Sequence, residues 1–397
     1  MKPATELIRG EGVSHDAEPL TTPVYETTTF VFENAAEVRA YNEGKSSKFL
    51  YSRYANPTVL AVEQTIARLE GAESALVLSS GQAATATALL GLLRGGDEVV
   101  CSAAIYGGTF HLLGDLLAKF GIRPRFVTID QLARPETIFS DTTKLVWFES
   151  PINPTLRCVD IAAVAAACKA RDAISVLDST FASPINQQPL ALGIDLVMHS
   201  ATKYLNGHSD VTAGALAGTG ALMARILDAR KKLGTVLDPH AAYALGRGLK
   251  TLAVRVERQN ANAMAVARWI ANDRRVHKVY YPGLDTHPDH ALAVRQMRGF
   301  GGMVCVDLGG GYDRAAAFFD RLQIFKRAAS LGGVESLCSL PVLTSQWGHS
   351  REELASAGVT DSMARLSVGL EDAEDLIADL DQALGGQGNR LHPTRTS

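Results

Sequence analysis

Cysteine is scarce in this chain of 397 residues, and what there is does not cluster. Cys101, Cys158, Cys168, Cys305 and Cys338 are odd in number, widely spaced and without a C-x-x-C motif. That pattern argues against a disulfide framework or a zinc ribbon and predicts small buried thiols in a reducing compartment, the cytoplasm. Long apolar runs are missing too. No stretch reaches the length of a membrane span, and the N-terminal segment Met1–Gly10 has no apolar core suited to secretion. Neither sign of charge dominates: a formal net charge of −3 gives no basis for a nucleic-acid or membrane partner. Nucleotide signatures are absent, since neither a Walker loop nor a G-x-G-x-x-G turn follows a strand-like run.

What is present is a regular alternation. From about Thr58, helix-like periodicity marks Thr58–Leu69, Gln82–Leu93, Thr109–Phe120 and Ile161–Ala170. Short apolar strands are predicted at Ala75–Leu78, Glu98–Cys101, Arg125–Ile129, Lys144–Phe148, Ala173–Leu177 and Asp195–Met198. Strands that are apolar throughout, separated by amphipathic helices, predict an α/β fold with a mostly parallel sheet covered on both faces. After a Gly-rich strand, Ala213–Gly218, come a helix over Ala221–Leu233 and one long helix from about Ala241 to Asn272. A strand over 302–307, a helix over Tyr312–Leu322 and a strand over Met363–Val368 predict a smaller C-terminal α+β domain. The expected division is an extended arm over 1–54, a large cofactor domain over 55–250, the small domain over 251–386 and a disordered tail over 387–397.

Two residues carry the chemistry. Asp178 closes the strand Ala173–Asp178, and Lys203 follows the next one in the run His199-Ser-Ala-Thr-Lys-Tyr-Leu-Asn-Gly207. In open parallel sheets ligands collect at the carboxyl ends of strands. A lysine there, once deprotonated by burial or a neighbouring cation, can form a Schiff base with an aldehyde cofactor. An aspartate at a buried strand end costs several kcal/mol unless paired. It reads either as a helix N-cap, with Ser179 and Thr180 following, or as the partner of a protonated pyridine nitrogen; the nearby lysine favours the second. With the hydroxyls of Ser200 and Thr202 beside the amine, these groups predict a pyridoxal phosphate site. Ser79-Ser80-Gly81-Gln82, a small-residue turn feeding a helix, suits a phosphate. Tyr51 and Arg53 lie in the arm, from which a phenol and a guanidinium can reach a neighbouring subunit's site. Two readings fit Tyr106 in Ile105-Tyr-Gly-Gly108: a ring that stacks on an aromatic cofactor, or a hinge tyrosine. His287 and His290, with Asp285 and Asp289, read as a solvated loop rather than a metal centre, because no third ligand is in register.

These motifs carry a resemblance. Asp178-Ser-Thr-Phe-Ala-Ser-Pro184 followed by His199-Ser-Ala-Thr-Lys-Tyr-Leu-Asn-Gly-His208 resembles the cofactor signature of the Cys/Met-metabolism, or trans-sulfuration, family of pyridoxal phosphate enzymes. The likeness runs from Pro23-Val-Tyr25 to Arg365-Leu-Ser-Val-Gly-Leu-Glu-Asp372. It implies a fold-type I aminotransferase-like subunit in a homotetramer, a dimer of active dimers, acting on a small amino-acid substrate. It further implies that Lys203 binds the cofactor covalently and moves protons, and that Asp178 holds the pyridinium. Gly81, Gln82, Ser200 and Thr202 would take the phosphate with Tyr51 and Arg53 of the neighbouring subunit. Tyr106 would stack on the ring and assist proton transfer, Asn153 would bond the phenolic oxygen, and Ser330 and Arg365 would grip the substrate α-carboxylate.

The implied reaction is γ-replacement or γ-elimination on a sulfur amino acid or an O-acylhomoserine, as in cystathionine γ-synthases and γ-lyases. O-acylhomoserine sulfhydrylase and methionine γ-lyase are the alternatives within the family, and a non-catalytic cofactor-binding relative is the alternative outside it. Four differences from the pattern stand out: Gln82 where Met is common, Gly108 where methionine γ-lyases carry Cys, Ala329 where enzymes handling cystathionine carry Glu, and Leu343-Thr-Ser345 where Met-Thr-His is frequent. The third removes a partner for a distal ammonium.

Overall fold

A computed structural model describes residues 2–9 and 19–385; the expected tail over 387–397 lies outside the described residues. Seven strands form the large sheet: β1 (Ser74–Leu78), β2 (Glu98–Ser102), β3 (Arg123–Val127), β4 (Thr143–Glu149), β5 (Ile174–Asp178), β6 (Leu196–His199) and β7 (Gly214–Gly218). Their spatial order is β1-β7-β6-β5-β4-β2-β3. Pairing is parallel from β6 through β3, while β7 runs antiparallel to both its neighbours. Each predicted strand is present, with ends moved by one or two residues.

Both faces of this sheet are covered, which is why its strands read as continuous apolar runs. Along β1, Leu76 and Leu78 enter a core with Leu89 of the helix Gly81–Leu92, Ile226 of the helix Gly220–Leu233 and Trp147 of β4. Ala75 and Val77 point the other way, onto Val62 and Ile66 of the helix Pro57–Glu70. A buried ion pair also joins these layers: Arg230 meets Glu63 at 2.5 Å and donates to the Val77 carbonyl at 3.0 Å.

A second sheet of five strands, β8 (Lys278–Tyr280), β9 (Met303–Asp307), β10 (Lys326–Arg327), β11 (Leu337–Ser339) and β12 (Met363–Ser367), has the order β10-β11-β12-β9-β8. Period-two alternation divides β12. Ala364 and Leu366 pack into a core with Phe318, Leu376 and Leu380, whereas Met363 joins the core beneath the large sheet. Arg365 therefore shares the face that looks toward the large sheet.

Three predicted elements differ. The long helix over 241–272 is two helices, Pro239–Leu249 and Leu252–Ala271. Buried Arg255 draws the chain in at the break, donating to the Gly248 carbonyl at 2.9 Å and to the Thr251 hydroxyl at 3.0 Å. The helix predicted from Thr109 starts at Gly107 and passes from α to π over Leu112–Leu116, then to 3-10 geometry over Leu117–Phe120. The arm is not wholly extended, since it contains the helices Pro3–Arg9 and Ala35–Asn42. The five cysteines are free and buried. No described helix is long and apolar enough to cross a membrane.

Candidate active site

The carboxyl ends of β1, β2, β4, β5 and β6 converge on one cavity of about 600 Å³, closed on the far side by Ala329, Ser330, Leu343–Ser345 and Arg365. After β1 the chain turns at Ser80, whose Oγ accepts the Ala83 N–H at 2.9 Å and caps the helix Gly81–Leu92. Position 81 has no room for a side chain: a Cβ would lie 2.9 Å from both Cβ and Oγ of Ser200. The helix N-terminus is thus pressed against the turn after β6, and its free N–H groups line the cavity beside Ser200 and Thr202. Thr202 is fixed by a reciprocal pair with Ala213, its hydroxyl accepting at 2.9 Å and donating at 3.1 Å.

Asp178 ends β5 and is paired in register with Met198 of β6. Its Oδ1 accepts from the Thr180 N–H at 3.0 Å and from the Thr180 hydroxyl at 2.5 Å. That hydroxyl in turn accepts the Ser200 N–H at 2.8 Å, so one threonine ties the ends of both strands together. Oδ2 has no hydrogen-bond partner among the described residues. Burial pushes the Asp178 carboxyl up, and the two bonds from Thr180 only partly oppose it. A cation set against Oδ2 would restore the charged form.

The Lys203 amine donates to Ser330 Oγ at 2.8 Å. Burial, and then the positive charge of Arg365, lower its pKa to about 8, so a minor fraction is free base at neutral pH and that fraction grows as pH rises. Ser330 sits at a φ of 107°, a conformation unfavourable for any residue with a side chain. Arg365 is buried and donates to Asn153 Oδ1 at 2.9 Å and to the Ser330 carbonyl at 3.1 Å. Tyr106 lines the mouth and is half exposed. The Gln82 amide donates to the Gly108 carbonyl at 2.7 Å beside it. A Cβ at Gly108 would lie 2.5 Å from the Tyr106 ring, so a cysteine there would require the ring to sit elsewhere.

The family model for Cys/Met metabolism PLP-dependent enzymes matches residues 4–385. This chain belongs to that family. It is 43% identical over 367 residues to L-methionine gamma-lyase of Pseudomonas putida, an alignment covering 92% of each chain. It is 45% identical over 343 residues to cystathionine gamma-lyase of Mus musculus, covering 86% of each. Identity to cystathionine gamma-synthase 1, chloroplastic, of Arabidopsis thaliana is 42% over 376 residues; the match takes in 94% of this chain but 66% of that longer relative. The crystal structure of metB from Corynebacterium glutamicum superposes with a TM-score of 0.90 at 38% identity, covering 97% of this chain and 98% of that one. The fold is therefore fold-type I, and the chain is a pyridoxal phosphate-dependent enzyme of the trans-sulfuration type.

The residues on hand fit that cofactor. A half-free buried carboxyl for a ring nitrogen, a helix N-terminus with two hydroxyls for a phosphate, and a partly deprotonated amine for an aldehyde all border one cavity. Of the residues expected from sequence, Lys203, Asp178, Tyr106, Gly81, Gln82, Asn153, Ser200, Thr202, Ser330 and Arg365 all line it. Tyr51 and Arg53 do not. Arg53 donates to the Lys231 carbonyl and lies over the Tyr54 ring, 4.9 Å from its centroid.

Sequence reasoning missed Glu149, Thr180 and Arg255. Glu149 carried the same signal as Asp178, an acid closing a buried strand, one residue past the predicted end of β4. Arg255 gave no local signal, because its guanidinium serves the carbonyls of Tyr204, Leu205 and Asn206, which follow Lys203 about 50 residues upstream. The loop at 285–290 is not the solvated loop expected: it buries His287 and is tied down by Arg157, which bonds Asp289 at 2.5 Å, while His290 Nε2 lies 3.3 Å from Asp285 Oδ1.

Proposed function

We propose that the chain catalyses γ-replacement on an O-acylhomoserine with a thiol, with γ-elimination as the outcome when water intervenes. The amine of Lys203, partly free base and in reach of a cavity shared with Asp178 and Arg365, carries this reading. Bound pyridoxal phosphate supplies an aldehyde for an amine and an electron sink for a broken C–H bond. Lys203 would hold it through its amine and would serve as the base for the substrate Cα proton. Asp178 would hold its ring nitrogen, and Gly81, Gln82, Ser200 and Thr202 would hold its phosphate. Tyr106 would stack on its ring and assist proton transfer, and Asn153 would bond its phenolic oxygen. Arg365, with Ser330, holds the substrate carboxylate so that Cα–H faces the lysine. The acyl group would leave Cγ as its carboxylic acid and the thiol sulfur would bond there in its place; with water instead of the thiol the products would be a 2-oxo acid, ammonia and the same carboxylic acid.

The exposed residues around the cavity, Gln82, Tyr106, Thr212, Ala329 and Leu343, are uncharged, and among the described residues its only carboxyls are the buried Glu149 and Asp178. A distal ammonium such as that of cystathionine would meet no acid here, whereas an ester would meet hydroxyls and amides. This favours synthesis of a thioether over cleavage of cystathionine. The position of Arg53 outside the cavity of its own chain supports a shared site in which the arm of one subunit completes its neighbour. We extend that reading to a homotetramer of two such dimers, the assembly that the family resemblance implies.

A panel of homoserine esters with thiols, methionine and cystathionine, assayed for thioether and 2-oxobutyrate, tests the proposal. Turnover of an ester at least tenfold above cystathionine is expected; the reverse order would overturn the substrate assignment. Mixing Arg53→Ala with Arg365→Ala chains should restore activity in hybrid dimers, and failure to do so would sink the shared site.

A further inference from the structure

Glu149 closes β4 and is the direct register neighbour of Asp178 on β5, so two buried carboxyls stand side by side at the cavity floor. Oε1 accepts the Tyr106 N–H at 2.8 Å, and Oε2 accepts the Asn153 N–H at 3.4 Å. Asn153 Oδ1 in turn receives Arg365 at 2.9 Å. One carboxyl thereby joins the backbone of the ring-side tyrosine, the backbone of the asparagine and, through it, the guanidinium assigned to the substrate. Among the described residues no cation bonds Glu149 directly. Arg365 and Asp178 are the charged groups acting on it, and the buried Cys101 lies close by. Burial, and then Asp178, push its carboxyl up, while the Tyr106 and Asn153 N–H groups favour the charged form that accepts from both. A second acid beside Asp178 is costly, so a carboxyl here needs a reason beyond filling the core.

We propose that Glu149 is a positioning residue that holds Tyr106 and Asn153 in place around the cofactor. Its value lies in having two acceptor oxygens on one rigid, buried group: an amide offers one acceptor and would turn a donor toward the second N–H. The inference rests on the reading of Tyr106 and Asn153 as cofactor contacts given above.

The test uses the full chain, stripped of cofactor and titrated with pyridoxal phosphate while absorbance and visible circular dichroism are recorded. Glu149→Gln and Glu149→Asp are each compared with wild type, alone and in a Tyr106→Ala background. The expected result is a dissociation constant raised about tenfold in either variant, with altered visible dichroism and with Lys203 still trapped by borohydride. In the Tyr106→Ala background the same substitutions should cost less than half as much, because one of the two anchored groups has gone. A lower melting temperature with unchanged cofactor affinity and dichroism would overturn the proposal, as would full additivity with Tyr106→Ala. If one variant fails to fold, the other decides by the same criteria. Absence of a borohydride-trapped adduct in the wild type would instead defeat the underlying reading, so the two failures are distinguishable.

Discussion

The Lys203 amine donates to Ser330 Oγ at 2.8 Å, although the two residues are 127 positions apart and hang from different sheets. Ser330 holds this place at a φ of 107°, which glycine tolerates and other residues resist. Ser330→Ala keeps the strain and removes the hydroxyl; Ser330→Gly removes both. Calorimetry should find the Gly variant more stable than the Ala variant by about 1 kcal/mol. Both variants should lose activity relative to wild type. Equal stability of the two would show that the loop relaxes and that the backbone there is unstrained.

The depressed pKa of Lys203 sets a pH window. The unfolded amine titrates near its ordinary value of about 10.5. The folded one titrates at about 8, so between these values the unfolded chain binds more protons. Stability of the cofactor-free protein attributable to this group therefore rises with pH across the window, and the burial penalty is in full force below about 8. The rate of imine formation with added pyridoxal phosphate should climb with pH and level off slightly above 8. Stopped-flow absorbance measures it. A rate that keeps climbing toward pH 10 would show that the amine is not perturbed. Lys203→Ala should abolish the borohydride-trapped adduct.

Much of this site was legible because it is local. Asp178 and Lys203 end adjacent parallel strands whose apolar runs are unbroken, and Ser200 and Thr202 share the lysine's turn. What was not legible depends on distance or on the lack of a periodic signal. Ser330 was reached only through the family resemblance, and nothing near Lys203 announces Arg255. The helix Ala35–Asn42 was missed because it buries no residue, leaving no apolar stripe; its start is set by Asn34, whose side chain accepts the Glu37 N–H. The break at Lys250–Thr251 falls inside an otherwise continuous helical pattern, since its cause is a guanidinium lodged against the Gly248 carbonyl.

Gly81 is required by the close approach of its helix to Ser200. Gly81→Ala should push the helix N-terminus off the turn and lower phosphate affinity. A loss of one to two orders of magnitude in cofactor affinity, about 1.4–2.7 kcal/mol, is the expected outcome of fluorescence titration. Activity at saturating cofactor should recover substantially. An unchanged dissociation constant would mean that the Ser200 side chain yields instead.

Arg365 offers a planar fork, which lysine cannot reproduce. Arg365→Lys should raise the substrate KM by about tenfold or more while the lysine-bound cofactor keeps its absorbance. Steady-state kinetics with a homoserine ester, alongside spectra of the resting enzyme, separates the two. Loss of cofactor without a change in KM would reassign this residue to cofactor binding, through its bond to Asn153.

The partition of the cavity between two sheets has a consequence for how such a protein can diverge. Asp178, Lys203 and the helix cap are borne by the large sheet, while Ala329 and Leu343 belong to segments flanking the short strand β11. Side chains on those segments can be exchanged without touching a strand of the large sheet. A lineage built this way can alter the leaving group it accepts by a few changes in surface loops while its reactive apparatus stays intact, so new preferences are reached in small, independently tolerable steps.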